Sequence, residues 1–215
     1  MFFRTLIETE LNSANDNPLI DVTRERIIHG GNFYGGHIAF AMDGMKVLIA
    51  NVADLLDRQL ALMVDTKFNN GLPANLSGAT KDKGIHHGFK AVQIAASAWT
   101  AEALKLSLPA SIFSRSTECH NQDKVSMGTI AARDCIRSLE LSEQVAAAAA
   151  FASAQALNLR MISGELDKET VGSTLTHFMQ STLSEAAFVE EDRPLDKNLR
   201  HLVEQIKNRK WELYK

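Results

Sequence analysis

Residues 38–64, IAFAMDGMKVLIANVADLLDRQLALMV, are the most apolar stretch of the chain, and they restrict its fold more than any other segment. Their apolar side chains recur around most of a helical circumference. A helix from residue 37 to about 64 therefore has to be buried among several other helices rather than laid on a surface. Asp43, Lys46, Asp54, Asp57 and Arg58 interrupt the stretch, which argues against a membrane span. The feature predicts an all-α chain, a bundle of long helices packed in water.

The remaining pattern agrees. Phe3, Ile7 and Leu11 repeat at helical spacing, so the first residues read as the end of a helix. The run 12–18, NSANDNP, is a loop rich in side chains that bond their own backbone, closed by a proline. Leu19-Ile20 and Ile27-Ile28 flank a charged turn and predict one short β-hairpin near the N-terminus. GGNFYGG, residues 30–36, brackets Phe33 with glycines, which permit positive φ and close approach to the main chain; taken alone, it reads as a loop with Phe33 as a core plug. Further helices are expected over 87–107, with Pro109 as a stop signal, over 124 to about 159 with the alanine run 146–150, and over 170–189. The last is expected to begin at Pro194 behind Asp192 as N-cap, with Leu195, Leu199, Leu202 and Ile206 on one stripe. No linker or repeat divides the chain, so residues 1–215 read as a single helical domain.

Composition removes several functions. Hydrophobic residues at 45% and charged residues at 23% over 215 residues describe a chain able to bury a core, and a net charge of −3 offers no general attraction to nucleic acid or anionic lipid. Cys119 and Cys135 fit no metal spacing and suggest a reducing compartment, with cytoplasm as the expectation. The start has no signal-peptide pattern. Phosphate-loop, Cys-x-x-Cys, His-Glu-x-x-His and Gly-x-Ser-x-Gly patterns are absent, and the seven histidines show no ligand spacing, so no metal is expected.

One cluster stands apart. His120-Asn121-Gln122-Asp123 places four hydrogen-bonding side chains directly before the helix expected from Lys124. It can serve as a polar cap on that helix or as part of a binding pocket, and taken alone it reads as the cap.

The segments ELNSANDNPLI (10–20), GGNF (30–33), HNQD (120–123) and SMGTIAAR (126–133) together resemble, in order and spacing, the aromatic amino acid ammonia-lyase family of histidine, phenylalanine and tyrosine ammonia-lyases and 2,3-aminomutases. Residues beyond about 159 match only through helical pattern and the Asp192-Arg193-Pro194-Leu195 turn. The resemblance implies a long-helix bundle of the ammonia-lyase type, tetrameric, with sites built from several subunits. It also implies the electrophilic group 4-methylidene-imidazol-5-one (MIO), which the family forms from Ala-Ser-Gly. No Ala-Ser-Gly occurs here, so this chain looks like the C-terminal half, with MIO expected on a missing N-terminal half or partner subunit.

By the same resemblance, Gln122 faces the substrate side chain, where histidine ammonia-lyases carry glutamate. A neutral amide suits a phenyl ring, beside which a carboxylate would be left unpaired. Glu118 falls where phenylalanine-type enzymes have a glutamate near the substrate amine, able to bind the ammonium or pass a proton. Phe33 corresponds to the phenylalanine beside the prosthetic group and substrate. His120 and Asn121 are expected to hold Gln122 in orientation, with Asn32 as a further supporting residue. Tyr34-Gly35-Gly36-His37 departs from the family's usual Gly-Gln-Pro continuation, and Lys124 and the doubled His86-His87 are further departures. Three functions follow as expectations: part of a lyase or aminomutase acting on phenylalanine or tyrosine, a non-catalytic helical assembly protein, or a histidine ammonia-lyase fragment, which Gln122 disfavours.

Overall fold

In the computed structural model, which describes residues 2–30 and 32–211, the apolar stretch becomes a 29-residue helix, α2 (Gly36–Val64). Before it come α1 (Phe2–Leu11) and the expected hairpin, β1 (Leu19–Asp21) with β2 (Arg26–Ile28), paired antiparallel with Ile20 opposite Ile27. After it come α3 (Lys90–Leu106), α4 (Gly128–Ile162), α5 (Lys168–Val171), α6 (Ser173–Ala186) and α7 (Asp196–Lys207). The fold is the expected all-α arrangement with one hairpin. Among the described residues it forms two compact units, one from Met1–Ala50 with Ala103–Leu139, the other from Asn51–Glu102 with Glu140–Lys215.

The second unit holds the larger apolar core. Phe89 and Phe151 are fully buried with ring centroids 4.9 Å apart, edge to face, alongside Leu60, Leu76 and Leu202. Each such side chain contributes roughly 2 kcal/mol by leaving water. The alanine run is buried here as Ala147, Ala148 and Ala149, and the small side chains let neighbouring elements approach α4 closely. The α7 stripe packs on this core, Leu202 fully and Leu195, Leu199 and Ile206 partly buried.

Gln155 is the polar centre of that core. Its amide is fully buried and saturated: Nε2 donates to the carbonyls of Leu76 (3.1 Å) and Val189 (3.0 Å), and Oε1 accepts the Val189 N–H (3.0 Å). Two irregular segments are thereby fastened to one helix.

Several boundaries differ from expectation. α3 begins at Lys90, not 87, because the His87 and Gly88 N–H groups donate to the Asp192 carboxylate at 2.8–2.9 Å and Gly88 sits at φ +50. Asp192 therefore does not cap α7, whose N-cap is Leu195. The doubled His86-His87 joins the same contact, His86 Nδ1 accepting the Asp192 N–H at 3.2 Å. The 170–189 segment divides into α5 and α6 at Gly172, φ +79, and ends at Ala186. Arg193 closes the C-terminal end of α6 by donating to the carbonyls of Ala186 (2.8 Å) and Ala187 (3.0 Å).

α2 is not covered all round by this chain. Phe40, Leu48, Val52 and Leu55 are each more than half exposed, with Val47 and Leu62 close behind, all on one helix. A row of large apolar side chains of this length is costly to leave in water. The purified chain should therefore self-associate or aggregate. Sedimentation showing a well-behaved monomer at micromolar concentration would contradict this.

Candidate functional site

The first unit carries the 10–20, 30–33, 120–123 and 126–133 segments, and its frame is polar rather than apolar. Ala39, Ala110 and Ala131 form a small buried cluster, with Met42 and Met127 against it. Beside it on α2, Lys46 is fully buried, its Nζ 2.8 Å from Asp43 Oδ1 and 3.7 Å from Asp134 Oδ2, and it donates to the Leu108 carbonyl at 2.9 Å. Asp43 accepts the N–H groups of Ala110 (2.9 Å) and Ser111 (3.0 Å). Burial pushes the Asp43 carboxyl up, but the Lys46 bond and the two N–H groups outweigh it and hold it below its ordinary value. Two of the charges that break up the apolar stretch in sequence, Asp43 and Lys46, are thus internal ties. Cys135 lies buried near Lys46, and burial pushes its thiol up.

From Ser111 the chain enters the loop that bears HNQD. The Ser114 hydroxyl donates to the Val125 carbonyl at 2.6 Å, and inside that closure Thr117 and Gln122 pair through two backbone hydrogen bonds of 2.9 and 3.3 Å. Between them Glu118, Cys119 and His120 all take left-handed backbone, φ 54, 51 and 72. Non-glycine residues pay about 1 kcal/mol or more each for that conformation, so three in succession persist only where surrounding bonds impose them. The bonds are present: Asn121 N–H to the Glu118 carbonyl (2.9 Å), Asn121 Nδ2 to Glu118 Oε2 (3.3 Å), and the Ser116 hydroxyl with His120 Nδ1 (2.8 Å).

This geometry overturns the reading of HNQD as a helix cap. α4 begins at Gly128, not 124, and its first N–H is met by the Ser126 hydroxyl at 3.2 Å, so HNQD does not cap the helix. His120 and Asn121 brace the turn through Ser116 and Glu118, and Gln122 is held through its backbone by Thr117. Their hold on Gln122 is thus indirect. Gln122 is half-buried, whereas Glu118, His120 and Asn121 are exposed.

Asn32 and Phe33 lie in a single 3-10 turn, Asn32–Tyr34, with Phe33 44% exposed, so it is not the core plug that its glycine setting suggests. Gly31 of the same run lies outside the described residues. Gly35 has φ +62, and a Cβ there would come within 2.9 Å of Ser126 Oγ, so only glycine lets this turn sit against the segment entering α4. The Lys124 ammonium lies 5.8 Å from the centre of the Tyr34 ring, a cation–π distance. Asn17 Oδ1 accepts the Gly30 N–H at 3.2 Å, joining the NSANDNP loop to the same place. Fragments separated by up to a hundred residues are thereby brought together, with Tyr34 and Lys124 adjacent in sequence to Phe33 and close to Gln122.

A pocket of about 660 Å³ opens beside them, lined among others by Glu10, Asn15, Asn32, Tyr34, His37 and Phe40. Asn15 donates to Glu10 Oε1 at 3.0 Å. Sequence reading assigned no role to Glu10, Asn15, Tyr34 or His37. The signal available for the first two was the quoted ELNSANDNPLI segment itself. A larger cavity of about 1040 Å³ in the second unit, lined by Ile94, Trp99 and Leu199 with Lys90 and Arg200, takes in the Asp192–Leu195 turn but no residue of the 10–20, 30–33, 120–123 or 126–133 segments. No cluster of three or more His, Cys, Asp or Glu side chains able to hold a metal occurs among the described residues.

A family model described as aromatic amino acid lyase matches residues 1–182. A phenylalanine aminomutase (L-beta-phenylalanine forming) of Taxus chinensis is 38% identical over 173 residues, 80% of this chain and 25% of that protein. A histidine ammonia-lyase of Caenorhabditis elegans is 36% identical over 213 residues, 98% of this chain and 30% of that protein. The crystal structure of a tyrosine aminomutase from Streptomyces globisporus superposes with a TM-score of 0.87 at 31% identity, covering 97% of this chain and 38% of that one. The chain spans between a quarter and two fifths of the length of these relatives.

Proposed function

The chain belongs to the aromatic amino acid lyase family, and we propose that it supplies the substrate side-chain face of an ammonia-lyase or 2,3-aminomutase acting on phenylalanine or tyrosine. The observation that carries the reading is the strained turn at 118–122. Three left-handed residues braced by five hydrogen bonds, with no capping task to perform, are what a chain maintains where side-chain aim matters.

The MIO group fits beside these residues but cannot arise from them. Phe33 offers a partly exposed aromatic face and Glu118 an exposed carboxylate, while no Ala-Ser-Gly occurs in the chain. When bound nearby, the group supplies the electrophile that activates the substrate amine. On this reading the chain's own residues do the remaining work. Gln122 meets the substrate ring with a neutral amide, Phe33 packs against it, and Glu118 holds the ammonium or carries its proton. Asn121 restrains that carboxylate, and the Ser116 bond fixes His120. The Ala-Ser-Gly sequence is proposed to lie on an N-terminal half or partner subunit, which would also cover the apolar face of α2.

The exposed α2 face equally suits a non-catalytic assembly protein, and one experiment separates the two. The 215-residue chain alone should release no ammonia from phenylalanine, tyrosine or histidine. Mixed with an Ala-Ser-Gly-bearing N-terminal half, it should form the ultraviolet-absorbing cinnamate-type acid or the β-amino acid. Turnover by the pure chain would end the split-site reading, and a stable but inactive complex would favour the assembly protein.

A further inference from the structure

We infer that Asp43 and Lys46 are positioning residues for Gln122, acting as a buried clamp on the base of the loop that carries the 118–122 turn; the inference rests on reading that turn as the substrate side-chain site. The pair sits on α2, outside every motif of the family resemblance. Lys46 is fully buried and Asp43 only 6% exposed. Between them they hold the Leu108 carbonyl and the N–H groups of Ala110 and Ser111, three backbone groups within four residues. Lys46 also reaches Asp134 of α4, at 3.7 Å. The loop 114–125 leaves one of these attachments and enters α4 before the other, so the clamp grips the chain on both sides of it.

A buried ion pair is an inefficient way to gain stability, since well-packed apolar side chains of equal volume often serve as well or better. What charge adds is direction: a carboxylate can take two N–H groups in a set geometry, and an apolar side chain cannot. The loop's internal bonds, Ser114 to Val125 and Thr117 to Gln122, maintain its shape but not its placement. A loop containing three left-handed residues also has a downhill route to ordinary backbone if its base is released. Gln122 would then keep its identity and lose its aim.

The test is hydrogen exchange by mass spectrometry on the 215-residue chain as wild type, Asp43→Asn and Asp43→Asn/Lys46→Met. Asparagine accepts only one of the two N–H groups, and the double variant leaves no unpaired buried ammonium. We expect amides at 114–122 to exchange about tenfold faster or more in both variants, while the double variant melts within a few degrees of wild type. In the complex reconstituted with the MIO-bearing half, the double variant should change the phenylalanine-to-histidine ratio of kcat/KM by about threefold or more. Unchanged exchange at 114–122, or exchange that returns to wild type together with the melting temperature, would overturn the inference. So would a loosened loop with an unchanged substrate ratio. The site reading fails separately, if Gln122→Glu moves no substrate.

Discussion

Gln155→Leu should destabilise the second unit by about 4 kcal/mol or more, among the largest effects expected of any single substitution in this chain. Leucine fills most of the volume, so the loss does not come from a cavity. It comes from the Leu76 carbonyl, the Val189 carbonyl and the Val189 N–H, all left without their partner in a fully buried place. Each such group costs roughly 1–3 kcal/mol. Gln144→Leu is the control, a change of the same kind on the same helix at a half-buried position whose amide reaches only the Glu140 carbonyl, at 3.3 Å; it should move stability by under about 0.5 kcal/mol. Urea unfolding followed by Trp99 and Trp211 fluorescence measures both. A Gln155→Leu loss below about 1.5 kcal/mol would mean that water or rearranged backbone replaces the amide.

Gln122→Glu should reorder substrate preference more than it affects folding. A carboxylate facing a phenyl ring must stay unpaired or take up a proton, at roughly 1–3 kcal/mol, so kcat/KM for phenylalanine and tyrosine should fall by about fivefold to 150-fold in the reconstituted complex. Histidine should suffer less, because its ring N–H can pair with the new charge. Phe33→Ala should lower activity toward all three without that preference, through lost packing against the ring. Thermal melts accompany the kinetics, since Gln122 is held through its backbone and its side chain can change without breaking the Thr117 pair. Equal activity of Gln122→Glu toward all three substrates, or a loss that only follows stability, would remove Gln122 from the substrate site.

The long helices and the hairpin were legible because they depend on periodicity. An apolar stripe at helical spacing, as in α7, an alternation between turns, as in the hairpin, and a long proline-free run rich in apolar residues, as in α2 and α4, are all local properties. The family was legible for a different reason, since short polar segments in fixed order are improbable by chance. Helix ends were less so. The start of α3 depends on a carboxylate a hundred residues away, and Asp192, a sound N-cap by local rules, spends its oxygens on His87 and Gly88 instead.

The site divides along the same line. Sequence by itself supplied the candidates for the chemistry, Gln122 for its neutral amide and Glu118 for its charge, because those are properties of side chains. It also determined that no Ala-Ser-Gly lies within these 215 residues. Only the tertiary structure decided how those side chains are held. Left-handed backbone at Glu118, Cys119 and His120 is unfavourable for each residue alone, so nothing local could predict it. It exists because bonds between Thr117 and Gln122, Ser114 and Val125, and Asp43 and the 110–111 backbone close around it. The buried charges of α2 follow the same logic: in sequence they are interruptions of an apolar helix, and they become ties only once the chain returns to meet them, since a buried charge is stable only with its partner in place.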